Sequence, residues 1–327
     1  MITYLASVIV PTYNRRDELR LTLDSVVKQI CQYSFEVIVA DDGSSEDIES
    51  VVNEYADVIS IKYCFQEDKG FRAGAARNMG IKLAKGDLCI FVDSGIILHP
   101  KSIEEFISIY LKEGNCAIVG YIYGFKTKAM SMKQIEDLKQ IIEANSFDDA
   151  IPLFKDRDFL DAREYIFQAL GDELHQWPAP FIVFWSGNMA VPRKLLLEVG
   201  MFDEYFNTWG GEDTELGLSL QKAGAKFILA RKACAVHYPH EVNRLNLWLS
   251  NPEEALEQLR EKQLYMLKKH PITAMKFYMS IYEPVMLNKM IMEYGGLEEM
   301  AEVGGDEKGQ KRGVTLQRTR KENRHEV

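Results

Sequence analysis

Cysteine is scarce in this chain, and so is histidine. Five cysteines are scattered through 327 residues with no C-x-x-C pair, and six histidines include no H-E-x-x-H. A dithiol redox motif and a zincin helix are thereby excluded, and the cysteines read as buried reduced thiols of a cytoplasmic protein. No apolar run reaches the ~18 residues of a membrane-spanning helix. The apolar stretch 2–10 has no basic leader and no small-residue cleavage site, so it reads as a first strand rather than a signal peptide. Basic residues are also short: 39 Lys and Arg stand against 49 Asp and Glu, a net charge of −10. That balance excludes a general nucleic-acid binder, which needs clustered cations to neutralise phosphates. G-x-G-x-x-G, G-x-x-x-x-G-K-[ST] and G-x-S-x-G are all missing, so neither a dinucleotide fold, a P-loop nor a nucleophile elbow is supported.

What remains is ordinary globular material, 46% hydrophobic and 27% charged, in a chain long enough for a large core. The first third alternates strand-like and helix-like segments. Strands are expected at Leu5–Val10, Phe35–Ala40, Val58–Tyr63 and Leu88–Val92, and helices at residues 17–30, 46–55 and 73–84. This rhythm predicts an α/β fold with a mostly parallel sheet and helices on both faces. The ligand site of such a sheet lies at the carboxyl ends of its strands. Polar clusters stand there: Tyr13-Asn14-Arg15, Asp41-Asp42 and Asp93-Ser94. Residues 1–123 read as the first half of the domain, 124–180 as a helical insertion with helices at 131–144 and 162–170, and 181–250 as the second half. A helical extension over 251–294 and a mobile tail over 295–327 follow. From Lys308 onward the tail carries seven basic residues against two acidic, enough for at most a weak peripheral contact with an anionic membrane or polymer.

Six motifs in order carry a resemblance. Ser7-Val8-Ile9-Val10-Pro11-Thr12-Tyr13-Asn14-Arg15 and Glu36-Val37-Ile38-Val39-Ala40-Asp41-Asp42-Gly43-Ser44 open the chain. Gly74-Ala75-Ala76-Arg77-Asn78-Met79-Gly80 and Gly86-Asp87-Leu88-Cys89-Ile90-Phe91-Val92-Asp93 continue it. Ser186-Gly187-Asn188-Met189-Ala190 and then Trp209-Gly210-Gly211-Glu212-Asp213-Thr214-Glu215 complete it. Over about residues 5–240 the chain resembles the family 2 glycosyltransferases of the GT-A fold, with a second half similar to galactosyl- and N-acetylgalactosaminyl-transferases and to chondroitin-type polymerases. The resemblance implies an inverting transferase that moves a sugar from a UDP-sugar to a hydroxyl of a glycan, metabolite or peptide.

Site roles follow residue by residue. Asp42 can accept the imide N–H of uracil and Tyr13 can stack on the ring, with Pro11 and Ser94 lining the nucleotide. Either Asp41 or Asp42 instead closes an Asx turn with Gly43. Arg77 can reach the diphosphate, with Lys69 and Arg72 beside it. Asp93 stands where the resembled enzymes have D-x-D, but Gly95 replaces the last acid, so Mn²⁺ or Mg²⁺ would rest on Asp93 and on His237, which resembles their metal-binding histidine. Trp185, Asn188, Trp209, Gly210 and Gly211 are expected at the sugar. The resemblance makes Asp213 the general base and Glu212 its orienting neighbour; both acids also suit a helix N-terminus. Aromatics of the insertion, Phe154, Tyr165, Phe167 and Trp177, are expected to form an acceptor wall. Rival readings are a non-catalytic nucleotide-sugar or carbohydrate-binding protein and a nucleotidyltransferase. The second would need a basic Gly-rich segment that Pro11 to Arg15 does not supply.

Overall fold

A computed structural model describes residues 3–125, 130–239, 251–280 and 283–294. Four parallel strands begin the fold: β1 (Ala6–Thr12), β2 (Phe35–Asp41), β3 (Ile61–Phe65) and β4 (Leu88–Val92), in spatial order β3-β2-β1-β4. Every residue of β1 is buried, as a central strand covered on both faces requires. Its side chains alternate between two cores. Val8 and Val10 join Leu19, Leu23 and Val26 of helix α1 (Arg16–Val27), whereas Ile9 joins Ile81 of helix α3 (Ala73–Leu83). Helix α2 (Ile48–Asn53) completes the first face, capped by the Asp47 side chain on the Ser50 N–H. The register pairs Thr12 with Asp41 and Asp41 with Phe65, so these strands end side by side.

The second half of the sheet is mixed rather than parallel. Strand β5 (Ile96–Leu98), helix α4 (Ser102–Glu113) and strand β6 (Cys116–Tyr123) follow β4. Strand β7 (Asn188–Pro192) then runs antiparallel between β4 and β6, and β8 (Lys226–His237) lies parallel to β6 and antiparallel to β5. The left-handed Gly95, φ +93°, turns the chain out of β4 towards this far edge. Three expectations shift. The third strand starts at Ile61, because Val58 and Ile59 close the turn after α2 on the Tyr55 carbonyl. The last strand continues past Ala230 to His237. Helix α6 (Phe147–Asp156) was hidden by Pro152 inside it.

Helix α5 (Met132–Ala144), α6 and α7 (Glu164–Leu170) form the layer before β7, and short 3₁₀ turns at Leu174–Gln176 and Pro180–Val183 lead into that strand. Helices α8 (Arg193–Val199) and α9 (Glu212–Lys222) flank β8, and α10 (Pro252–Lys269), α11 (Thr273–Ser280) and α12 (Pro284–Tyr294) follow. None of the described helices is long and apolar enough to cross a membrane. The expected tail, 295–327, lies outside the described residues.

One buried ion pair fastens the layer of α5 to α7 onto the sheet. Arg163 and Asp161 are 0% and 3% exposed and 2.7 Å apart. The guanidinium also donates to the carbonyls of Val183 and Gly120, and the Asp161 carboxylate accepts the Ile122 N–H. Removing one partner leaves the other charge buried and uncompensated. Asp161→Asn is therefore expected to lower unfolding stability by about 3–5 kcal/mol in urea titration, with Asp161→Leu/Arg163→Met together recovering most of the loss.

Candidate active site

The ends of β1, β2 and β4 build one wall. Asn14 sits at positive φ (50°), and its side-chain oxygen accepts the N–H groups of Ser45 and Glu46, tying the loop after β1 to the loop after β2. The two adjacent aspartates divide their tasks. Asp41 takes the Ser44 N–H at 2.8 Å and the Tyr63 hydroxyl at 2.8 Å, which makes it the turn former. Asp42, 5% exposed, takes Gln66 Nε2 at 2.5 Å and the Arg72 N–H at 2.7 Å. Burial pushes its carboxyl above the ordinary range, against the pull of those two donors. Gly43 cannot be replaced without rebuilding this wall: a Cβ would lie 2.3 Å from the Asp68 backbone nitrogen. Asp68 in turn accepts the hydroxyl of Tyr13, whose side is 44% exposed.

The opposite wall is the start of α9. Gly210 and Gly211 are both left-handed (φ +87° and +103°), and a Cβ on Gly211 would meet the Phe206 ring at 2.8 Å. This turn delivers Glu212 and Asp213 into the first helical turn. Lys262 of α10 holds the turn, donating to the carbonyls of Thr208 at 3.1 Å and Trp209 at 2.7 Å. Asn78 of α3 braces the preceding segment through both its amide atoms, on Phe202 N–H and Phe202 C=O.

Arg77 joins the walls. It is 3% exposed, 2.9 Å from Asp93 at the end of β4 and 3.5 Å from Glu212, with its guanidinium 5.4 Å from the Phe202 ring centre. The expected reach of Arg77 to a diphosphate gives way to this burial; its charge serves the two carboxylates. Gly74, one turn earlier, faces the Glu212 stem, which lies 3.8 Å from where a Cβ would sit. Asp213 lies beside them, only partly exposed, accepting the Thr214 N–H at 2.8 Å and the Ser186 N–H. Desolvation first, and the Glu212 charge second, push its pKa up to about 7, outweighing Arg77 and the two backbone donors. Glu212 keeps its second oxygen, Oε2, buried without a hydrogen-bond partner.

Other expected residues fall elsewhere. Asn188 is fully buried and donates to the carbonyls of Ala233 and Tyr121, so it pins β7 to its neighbours instead of lining a sugar pocket. Trp185 donates to the Ile182 carbonyl, and its ring lies over Arg163 at 5.3 Å. Phe154, Phe167 and Trp177 are core residues, and only Tyr165 of the expected acceptor wall is exposed. Trp209 is 52% exposed beside the glycine turn. Ser94 donates to the Pro11 carbonyl. His237 pairs with Ile96 across the sheet edge and sets its ring against Phe125; His240 lies outside the described residues. Among the described residues no group of three or more His, Cys, Asp and Glu suits a metal ion. Asp93 can offer a cation one carboxylate oxygen: its side chain is 41% exposed, and Arg77 bonds Oδ1. A hard cation that keeps waters and phosphate oxygens needs no more than one or two protein carboxylates. Lys262, Asn78 and Ser186 were not singled out as site residues from sequence; Asn78 and Ser186 lie inside the motifs already noted, whereas nothing in sequence connects Lys262 to residues fifty positions earlier.

Comparison with known proteins locates this geometry. The family described as Glycosyl transferase family 2 matches residues 7–168. The chain is 35% identical over 240 residues to validoxylamine A glucosyltransferase of Streptomyces hygroscopicus subsp. jinggangensis, covering 72% of this chain and 56% of the relative. It is 35% identical to the chondroitin synthase of Escherichia coli, over 71% of this chain and 34% of the relative. Hyaluronan synthase of Pasteurella multocida is 33% identical over 80% of this chain and 28% of its own length. The chain thus spans about half, or less, of these relatives. Among solved structures, S. aureus TarS 1-349 in complex with UDP-GlcNAc superposes with TM-score 0.55 at 18% identity, over 80% of this chain and 66% of that one. The fold is therefore the GT-A type, a twisted mixed sheet with helices on both sides.

An acid whose folded pKa is raised costs no stability while both states are protonated, and its full cost appears above the folded pKa. For Asp213 that window opens at the ordinary aspartate value of about 3.9 and closes at about 7. Asp213→Asn is expected to raise Tm at about pH 8 and to leave it unchanged near about pH 4, as read by calorimetry across that range.

Proposed function

The chain belongs to glycosyl transferase family 2, and from that premise we propose that it transfers a sugar from a UDP-sugar to an acceptor hydroxyl with inversion, Asp213 acting as general base. The observation that carries the reading is the left-handed Gly210-Gly211 turn, which sets Asp213 beside Glu212 and Arg77 at the start of α9, where desolvation pushes its pKa up to about 7. A hydroxyl is a weak nucleophile and needs a base whose pKa lies near the working pH. Most carboxylates are too acidic for that task; desolvation and Glu212 bring this one into range.

The two walls divide the substrates. The Tyr13 ring and Asp42 receive the nucleotide on the β1–β2 side, with Asp42 placed for the uracil imide. Asp213 faces from the α9 side, where the acceptor hydroxyl loses its proton as its oxygen attacks the anomeric carbon opposite the leaving diphosphate. Glu212, with its unpartnered Oε2, orients a hydroxyl of the acceptor or the sugar. Arg77 keeps Asp93 and Glu212 at fixed separation, so neither carboxylate drifts when the charges change. Lys69 and Arg72, on the loop beside Asp42, supply cations to the diphosphate. A divalent cation bound at Asp93, with His237 as the second expected ligand, would neutralise charge on the departing diphosphate.

Asp213→Asn is expected to lower kcat by about 10²-fold or more while calorimetry shows unchanged UDP affinity. In the wild-type enzyme kcat/KM rises with pH up to about 7 and then levels. Because Glu212 contributes to that elevation, Glu212→Gln moves the limb to lower pH. An unmoved limb, or full turnover in Asp213→Asn, would remove the base assignment; UDP binding with no release from any donor would favour a binding protein.

A further inference from the structure

A cavity of about 440 Å³ lies between the segment 204–208 and helix α10, within the ~300–1,000 Å³ usual for small-molecule sites. It is lined by Glu204, Tyr205, Asn207, Gln258, Glu261 and Lys262, among others. The segment runs directly into Trp209-Gly210-Gly211 and so to Asp213, and Lys262 forms both the cavity's wall and the tie on that turn. A molecule seated here lies against the turn that leads into Glu212 and Asp213.

The lining has the chemistry of saccharide recognition. Tyr205, 46% exposed, is held flat against Tyr265, with ring centres 3.6 Å apart and planes 8° apart, so it is a fixed aromatic surface. Tyr265 is locked by its hydroxyl on Asp203 at 2.7 Å. Asn207 and Gln258 bring side-chain amides. The charge is one-sided. Glu204, fixed by Asn78 at 3.0 Å, and Glu261 contribute two carboxylates. The one cation among the described lining residues, Lys262, already donates to two backbone carbonyls, and burial lowers its pKa.

We propose that this cavity is the acceptor subsite and that it takes an uncharged or amine-bearing sugar, discriminating against acceptors that end in a carboxylate or phosphate. The proposal rests on the glycosyltransferase reading above and adds the acceptor's class to it. Like charges on exposed groups repel through water and are screened by salt. The discrimination is therefore strongest at low ionic strength.

The test uses the full chain with UDP present and three probes: deacetylated chitobiose, lactose and a glucuronate-terminated disaccharide. Affinities are read by saturation-transfer NMR titration. The amine-bearing sugar is expected to bind about tenfold more tightly than the uronate at low salt, with the gap shrinking at high salt. Glu261→Gln narrows the ratio, and Glu261→Lys reverses it, with UDP affinity unchanged in both. Tighter binding of the uronate, no binding of any probe, or a ratio unmoved by Glu261→Lys would overturn the proposal. Calorimetry of UDP alone judges the glycosyltransferase reading separately, because the sugar ratio is read whether or not a donor turns over.

Discussion

One buried cation, Arg77, organises the site. Arg77 stands where three carboxylates converge, and it touches two of them directly. Asp93 comes from the parallel half of the sheet and Glu212 from the helix that follows the glycine turn. Without the guanidinium, those acids and Asp213 would face one another as uncompensated like charges. Burying Arg is costly unless it is paired and hydrogen-bonded. The structure answers that demand with Asp93 and Glu212 on the guanidinium and with Phe202 against its face.

The same economy of charge explains the contrast between Asp42 and Asp213. Both are desolvated carboxylates at the edge of the site. Asp42 is given a side-chain amide and a backbone N–H, and its rise is held in check. Asp213 has two backbone donors but also an acidic neighbour, and it climbs to about 7. Position in the chain does not separate the two carboxylates; desolvation leads in both, and the donors and charges beside each decide how far it rises.

Much of the architecture was legible from hydrophobic period and strand-end polarity. The strands β1, β2 and β4 and helices α1 and α3 fall close to their expected places, because fully buried parallel strands and amphipathic helices carry strong patterns. The second half was less legible. Antiparallel insertion of β7 between β4 and β6 is a long-range pairing with no local signal, and Pro152 masked α6. Among site residues, the glycine turn and its acids stand together at the start of α9. Arg77 read as a phosphate ligand because sequence shows a cation but not its neighbours. Asn188 and the aromatics of α6 and α7 read as pocket walls because nothing local distinguishes a buried polar or aromatic side chain from an exposed one.

The elevated Asp213 has one more consequence. A carboxylate half-ionised near neutrality is a proton reservoir. Any ligand that changes its surroundings will shift that ionisation, so binding and proton exchange are thermodynamically linked. A substrate that approaches its ionised form with a hydroxyl drives a proton out, and one that shields it from water without hydrogen-bonding draws a proton in. The heat of association then contains the ionisation enthalpy of whatever buffer surrounds the protein, and the apparent affinity of each substrate slopes with pH even where that substrate itself does not titrate.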